Sequence, residues 1–296
     1  LYFYPVTIVT RKPARKRAPA PRKKQAAKKR QLSIFSGKWK IALAGLLLIL
    51  LSPFYYGYVL KTFTSAWRWV RDIGNDPNYR VNESFNIFIP GGYLIHGIDV
   101  SYYQGKIDWT KVKEMEDDGV RVHFAFIKAT EGLASTDPYF QRNWREAPKA
   151  GITCGAYHYF KPKKSGKWQA KFFLQNVRPE RGDLPLVVDI EELKGASEGK
   201  MRIELREFTE YITRKTGTKP IIYTNISFYE NYLKGYFDEY VLWIAHYYKK
   251  ELRVSSGTKW QFWQHSDKAS INGINHVVDM NVFRGDSAAF KKLLIR

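Results

Sequence analysis

From Tyr93 onward, short apolar runs alternate with amphipathic stretches, and this alternation restricts the chain to very few architectures. The runs are LIHGIDV (94–100), VHFAFIKAT (122–130), TCGAYHYF (153–160), LPLVVDI (184–190), KPIIYT (219–224), YVLWIAH (240–246), KWQFWQH (259–265) and HVVDMNVF (276–283). Helical stretches fit between the first six, at about 109–118, 138–149, 166–177, 201–216 and 226–235. Pro138 stands early in the second of these and Gly151 just past its end, as helix start and stop signals require. Strand then helix, repeated, predicts a parallel sheet with helices packed outside it. The last runs leave no room for full helices between them. The expected fold is therefore α/β: an irregular, TIM-like (β/α) barrel of five β/α units followed by β-strands.

The segment ahead of Tyr93 has a different character. The chain carries 49 Lys and Arg against 28 Asp and Glu, a formal charge of +21, yet no acidic residue precedes Asp72. The excess lies mostly between Arg11 and Arg30, a segment of Lys, Arg, Ala, Pro and Gln with nothing to bury, which predicts a disordered tail. Ile41 to Leu60 then runs without a charge. About 20 helical residues span roughly 30 Å, the thickness of a bilayer's hydrocarbon core. Trp39, Phe54, Tyr55, Tyr56 and Tyr58 resemble interfacial aromatics, and Pro53 would kink such a helix without forbidding it. A single transmembrane signal-anchor is expected, with the basic tail cytoplasmic by charge asymmetry. A cleaved signal peptide is the rival, with Thr64-Ser65-Ala66 as its best site. The expected organisation is a polybasic cytoplasmic tail (1–40), the anchor (41–60), a stalk or linker (61–92) and the barrel domain (93–296). No nucleic-acid recognition module accompanies the tail, so its charge is assigned to topology rather than to nucleic acid. One cysteine excludes a disulfide framework, and the six histidines form no HExxH.

Barrels of this kind place reactive residues at the C-terminal ends of their strands. Asp99 ends the first run, Asp189 and Glu191 end the fourth, and Asp279 lies in the eighth. A period of two puts Asp189 and Glu191 on one side of their strand, with Ile190 opposite. Four carboxylates would meet at one mouth beside Tyr102, Tyr157, Tyr159, Tyr223, Trp243, Trp260 and Trp263. Glycoside hydrolysis suits such a set, because one acid protonates the leaving oxygen while another stabilises an oxocarbenium-like centre. Aromatic faces suit the apolar C–H surfaces of sugars. Ion pairs with Lys or Arg, turn caps and a divalent-cation site remain open readings of the same acids.

Together the blocks HGIDVSYYQGKIDW (96–109), FAFIKATEG (124–132), GAYHYF (155–160), LPLVVDIEE (184–192), PIIYTN (220–225), LWIAHY (242–247), WQFWQHS (260–266) and VDMNVF (278–283) resemble the glycoside hydrolase family 25 muramidases, the Chalaropsis-type lysozymes. The resemblance covers about 93–296. It implies hydrolysis, with retention, of the β-1,4 bond between N-acetylmuramic acid and N-acetylglucosamine in peptidoglycan. By position, Glu191 matches the general acid. Asp189 matches the carboxylate that assists the substrate's acetamido group, and Asp99 and Asp279 match the other two acids; the resemblance leaves the nucleophile open between Asp99 and that acetamido group. Tyr157, Tyr159, Tyr223, Trp243 and Gln261 fall in blocks that line the family's groove. Lys128 is read either as a cleft residue or as a partner of Glu131. His96 and Cys154 are expected to be structural, and His158 to face the helices. No cofactor and no metal are implied. Joined to the anchor, this gives a membrane-tethered enzyme at a bacterial inner membrane, its catalytic domain outside the cytoplasm. A binding-only envelope protein and a glycosidase for another N-acetylated glycan are the alternatives.

Overall fold

The protein is described by a computed structural model covering Leu43, residues 45–47, and residues 80–296 except Ser256. The chain divides into two units, Leu1–Leu60 and Lys61–Arg296. In the second, a hairpin of β1 (Arg80–Asn82) and β2 (Ile87–Ile89) precedes the barrel. The barrel strands are β3 (Ile95–Val100), β5 (Val120–Glu131), β7 (Thr153–Tyr159), β8 (Val187–Asp189), β9 (Ile221–Asn225), β10 (Leu242–Ala245), β11 (Trp260–Ala269) and β12 (Val278–Phe283). Short strands β4 (Glu116–Asp117) and β6 (Ser135–Thr136) pair with β5. Helices α1 (Trp109–Glu114), α2 (Phe140–Lys149), α3 (Gly166–Asn176) and α4 (Glu198–Thr216) fill the early crossovers. A short α5 (Ile226–Phe228) runs into a π-helical turn at Tyr229–Leu233, and α6 (Ser287–Leu293) comes last.

The sheet runs β3-β12-β11-β10-β9-β8-β7-β5, and a further β3–β5 pairing closes it into a ring. Every neighbouring pair is parallel except the two made by β12, which is antiparallel to both β11 and β3. The irregular barrel expected from the apolar runs is present, and each run holds one ring strand. Two cores follow from the period-two alternation of the strands. Ile95, Phe124, Phe126, Val187, Ile221, Trp243, Phe262 and Phe283 point inward, joined from below by Phe290 of α6. The alternate residues, such as Ile98, Ile127, Val188 and Ile244, meet the helices outside.

The inner rings need space that the strands must supply. A β-carbon at Gly97 would lie 2.4 Å from the Phe124 ring, and one at Gly155 would lie 2.8 Å from Phe126. Glycine at those positions admits the phenyl rings, and fully burying each ring stabilises the fold by roughly 1.5–3 kcal/mol.

Two expectations are corrected. Among the described residues no helix is long and apolar enough to cross a membrane. The transmembrane anchor expected at 41–60, together with the membrane partner and the inner-membrane location drawn from it, is therefore not supported. A run without charge shows that a span would be long enough, but does not by itself make a membrane-crossing helix. Most of 41–60, the tail at 1–40 and the stalk up to 79 lie outside the described residues. Second, the stalk or linker expected over 61–92 gives way over 80–89 to a hairpin that buries Phe85, Ile87 and Ile89 in the outer core.

Candidate active site

Asp99 ends β3 on the inward side and is 7% exposed. Its cross-strand partner on β12 is Asp279. Residues directly opposite share a face, with β-carbons about 4.5–5.5 Å apart, so these two carboxylates stand together. Asp189 ends β8, 6% exposed, in register with Tyr159 on one side and Tyr223 on the other. Glu191 follows two residues later and is half-buried, while Ile190 between them packs into the outer core. Four acids from three strands therefore meet at the mouth.

A chain of neutral groups holds Asp99. Gln264 Nε2 and Asn281 Nδ2 both donate to its Oδ2, each at 2.8 Å. Gln264 Oε1 accepts from the hydroxyls of Tyr223 (2.7 Å) and Tyr247 (2.8 Å), and Asn281 Oδ1 accepts from the Trp243 indole (2.7 Å). Trp243 stacks on Phe126 at 4.3 Å, which ties the mouth to the inner core below it. An ionised carboxylate only accepts hydrogen bonds, and this network offers it only donors.

The tyrosines report the same convergence. Burial, then the charges of Asp99, Asp189 and Asp279, pushes the Tyr157 hydroxyl far above its usual range. Burial and then Glu191 do so for Tyr223, and burial followed by Asp279 and Glu191 for Tyr247. Tyr159 is raised by burial, Asp189 and Glu191. All four remain protonated donors across the working range. Acids facing one another among fixed hydroxyl donors can transfer a proton to a leaving group and offset a developing positive centre. Among the described residues, no three His, Cys, Asp or Glu side chains come together in a group able to hold a metal ion.

Not every expected residue joins the site. Gln261 lies near the start of β11, where its carbonyl accepts from the Arg284 amide, at the far end of the barrel from the acids. Trp260 and Trp263 point into the outer core, Trp263 donating to the His246 carbonyl at 2.8 Å. Lys128 pairs with Glu131 at 2.8 Å and lies 5.1 Å from the Tyr159 ring centre. Tyr102 stands exposed on the rim, stacked on Tyr103 at 4.1 Å, and its hydroxyl is pushed up to about 12 by burial and by Tyr103. His96, His158 and Cys154 are buried outside the inner barrel, as expected. Gln264, Asn281 and Tyr247 were missed. They sit inside the quoted blocks, and Gln264 shares the phase of Phe262, which strand pairing shows to be inward.

The chain is matched by a family model described as glycosyl hydrolases family 25 over residues 98–274. The Escherichia coli protein YegX is 44% identical over 256 residues, 86% of this chain and 94% of that one. Lysozyme M1 of Streptomyces globisporus is 35% identical over 208 residues, 66% of this chain and 69% of that one. The crystal structure of a bacterial lysozyme from Streptomyces coelicolor superposes with a TM-score of 0.62 at 34% identity, over 67% of this chain and 96% of that one.

Proposed function

This chain belongs to glycosyl hydrolase family 25, and from that premise we propose that its cleft hydrolyses the β-1,4 bond between N-acetylmuramic acid and N-acetylglucosamine in peptidoglycan, with retention. The broader class is settled by the family and its relatives: the protein is a glycoside hydrolase of the muramidase kind. Glu191 donates its proton to the glycosidic oxygen as the C1–O bond breaks. The substrate's acetamido oxygen attacks C1 and forms a cyclic oxazolinium. Asp189 accepts the acetamido N–H and offsets the positive charge of that ring. A water then gives its proton to Glu191 and attacks C1, so two inversions produce net retention. Asp99, with Oδ2 engaged by two amide donors, serves better as a fixed positioning charge than as the attacking group. Asp279 joins it against the sugar, and Tyr157, Tyr159 and Tyr223 line the groove over Trp243.

The observation that carries this reading is the meeting of four carboxylates at one mouth, on alternate positions of one strand end and facing positions of two others. The test uses the wild type and Glu191→Gln on purified peptidoglycan, with each new reducing end identified after borohydride reduction. The expected result is reducing muramic acid, and a rate lower by about 10²- to 10⁴-fold in the variant. A reducing glucosamine would overturn the bond assignment. No cleavage by folded wild type would leave a glycan-binding protein instead.

A further inference from the structure

One rim of the mouth is charged in a way that the four acids do not use. No acidic residue occurs between Glu146 and Glu180, and the loop leaving β7 reads Lys161-Pro162-Lys163-Lys164-Ser165-Gly166-Lys167. This loop is fixed in place. Gln169, fully buried, accepts from the Lys161 amide at 2.8 Å and donates to the carbonyls of Lys161 (3.1 Å) and Lys164 (3.3 Å). His158 Nε2 lies 3.2 Å from the same amide oxygen, and its Nδ1 lies 2.7 Å from the Thr130 hydroxyl. A buried relay from β5 through β7 to α3 thus sets the loop's position.

A second turn brings another cation to meet it. Lys194 adopts a left-handed backbone (φ 46°) next to Gly195 (φ 75°), a conformation costly for a side-chain-bearing residue and most often retained where it serves a site. That turn aims its ammonium 5.6 Å from the Tyr159 ring centre, with Lys161 at 4.6 Å from the same ring. Lys163 Nζ reaches the turn too, since a β-carbon built on Gly195 would lie 2.8 Å from it. Glu131 offsets Lys161 at 2.6 Å and Glu192 offsets Lys194 at 3.1 Å, but Lys163, Lys164 and Lys167 have no ion-pair partner among the described residues. The net result is a rigid cationic lip, joined to the catalytic acids through Tyr159, whose register partner is Asp189.

We propose that this lip, led by Lys163 and Lys194, is a subsite for the carboxylates of the peptide stem borne by the muramic acid, so that the enzyme favours glycan carrying charged stems over bare glycan. The proposal rests on the muramidase reading and adds to it what else the substrate must carry. The stem leaves the glycan at the lactyl ether of the muramic acid, the sugar whose C1 reacts, so its carboxylates lie within a few residues' reach of the acids. Lysine suits such a ligand, because a flexible point charge can follow stems of varied length.

The experiment compares the full chain with the Lys163→Gln/Lys194→Gln double variant on three substrates. These are intact peptidoglycan, the same material with its stem carboxylates capped as neutral amides, and strands stripped of stems by an amidase, with the freed lactyl carboxylates then also capped as neutral amides. On intact peptidoglycan the variant should lose about three- to tenfold in kcat/KM through a higher KM, as expected for two exposed ion pairs. On the capped and stripped substrates it should match wild type, and the wild-type preference for intact material should shrink as salt is raised. Equal losses on all three substrates, or no loss on intact peptidoglycan, would overturn the lip while leaving the muramidase standing. No cleavage of any substrate by wild type would overturn both.

Discussion

Gln264 sits where Asp99 and two tyrosines meet, and each of its polar atoms is engaged there. Replacing it by leucine removes a donor from Asp99 and strands two buried hydroxyls. Leaving such groups unsatisfied costs about 1–3 kcal/mol each in a protein interior. Gln264→Leu is therefore expected to unfold at lower urea and to lose at least about tenfold in kcat, the latter because Asp99 is held by Asn281 alone. A variant with lowered stability and unchanged kcat would show that the network only braces the barrel. The placing of the acids was legible in the sequence because they fall at strand ends and because Asp189 and Glu191 stand two residues apart. Their neutral supports were not, since Gln and Asn in a β-run carry no chemical signature of their own. Only the phase of β11 separates Gln264 from Gln261, and that phase became visible through pairing, with Phe262 against Trp243 and Phe283.

At the level of elements, β11 shows how fragile such phase reading is. Its register with β12 shifts between Gln264 and Ser266 and again before Ala269, and its register with β10 shifts at its start. The shift at its start turns Trp260 outward although it shares the parity of inward Phe262, whereas Trp263 is outward by simple alternation from Phe262, so neither forms the sugar platform that aromatic composition suggested. The hairpin of β1 and β2 was read as linker because six residues of mixed polarity hardly alternate. It is held instead by packing, with Phe85 fully buried and its carbonyl accepting from the Ser270 amide. The α3–α4 contact sets a sharper limit. A β-carbon at Gly166 would fall 1.6 Å from the Glu204 carbonyl oxygen, a collision with backbone that no rotamer relieves. Gly166→Ala is expected to destabilise the protein by about 1–3 kcal/mol or more, read as a fall in the urea midpoint. An unchanged midpoint would mean that the two helices can separate without cost.

Across the whole molecule, the repeating apolar runs made the ring legible, since each run had to become one wall strand. The short gaps between the last runs implied an irregular end to the barrel, but the reversal of β12 was not legible, since β10 and β11 have a similarly short gap and still pair parallel. The buried histidines were less obvious. Burial lowers His158 and His265 to about 3 and His96 to about 4, from an ordinary value of 6.5. The folded state holds them neutral, while the unfolded chain binds protons below about pH 6.5. Their contribution is therefore complete above that pH and lost progressively as the pH falls toward 4. The melting temperature should decline from pH 7.5 to 5, and His265→Phe should lessen the decline. A flat profile over that range would contradict it. Timing follows from the ring itself. Asp99 is gripped by Asn281 across 182 positions of sequence, and β12 slots between the first strand of the ring and the one before it. A chain on the ribosome that has not yet made 278–283 therefore holds Glu191 and the inner aromatic rings but leaves the ring open and Asp99 without Asn281, so its groove cannot assemble before that strand exists.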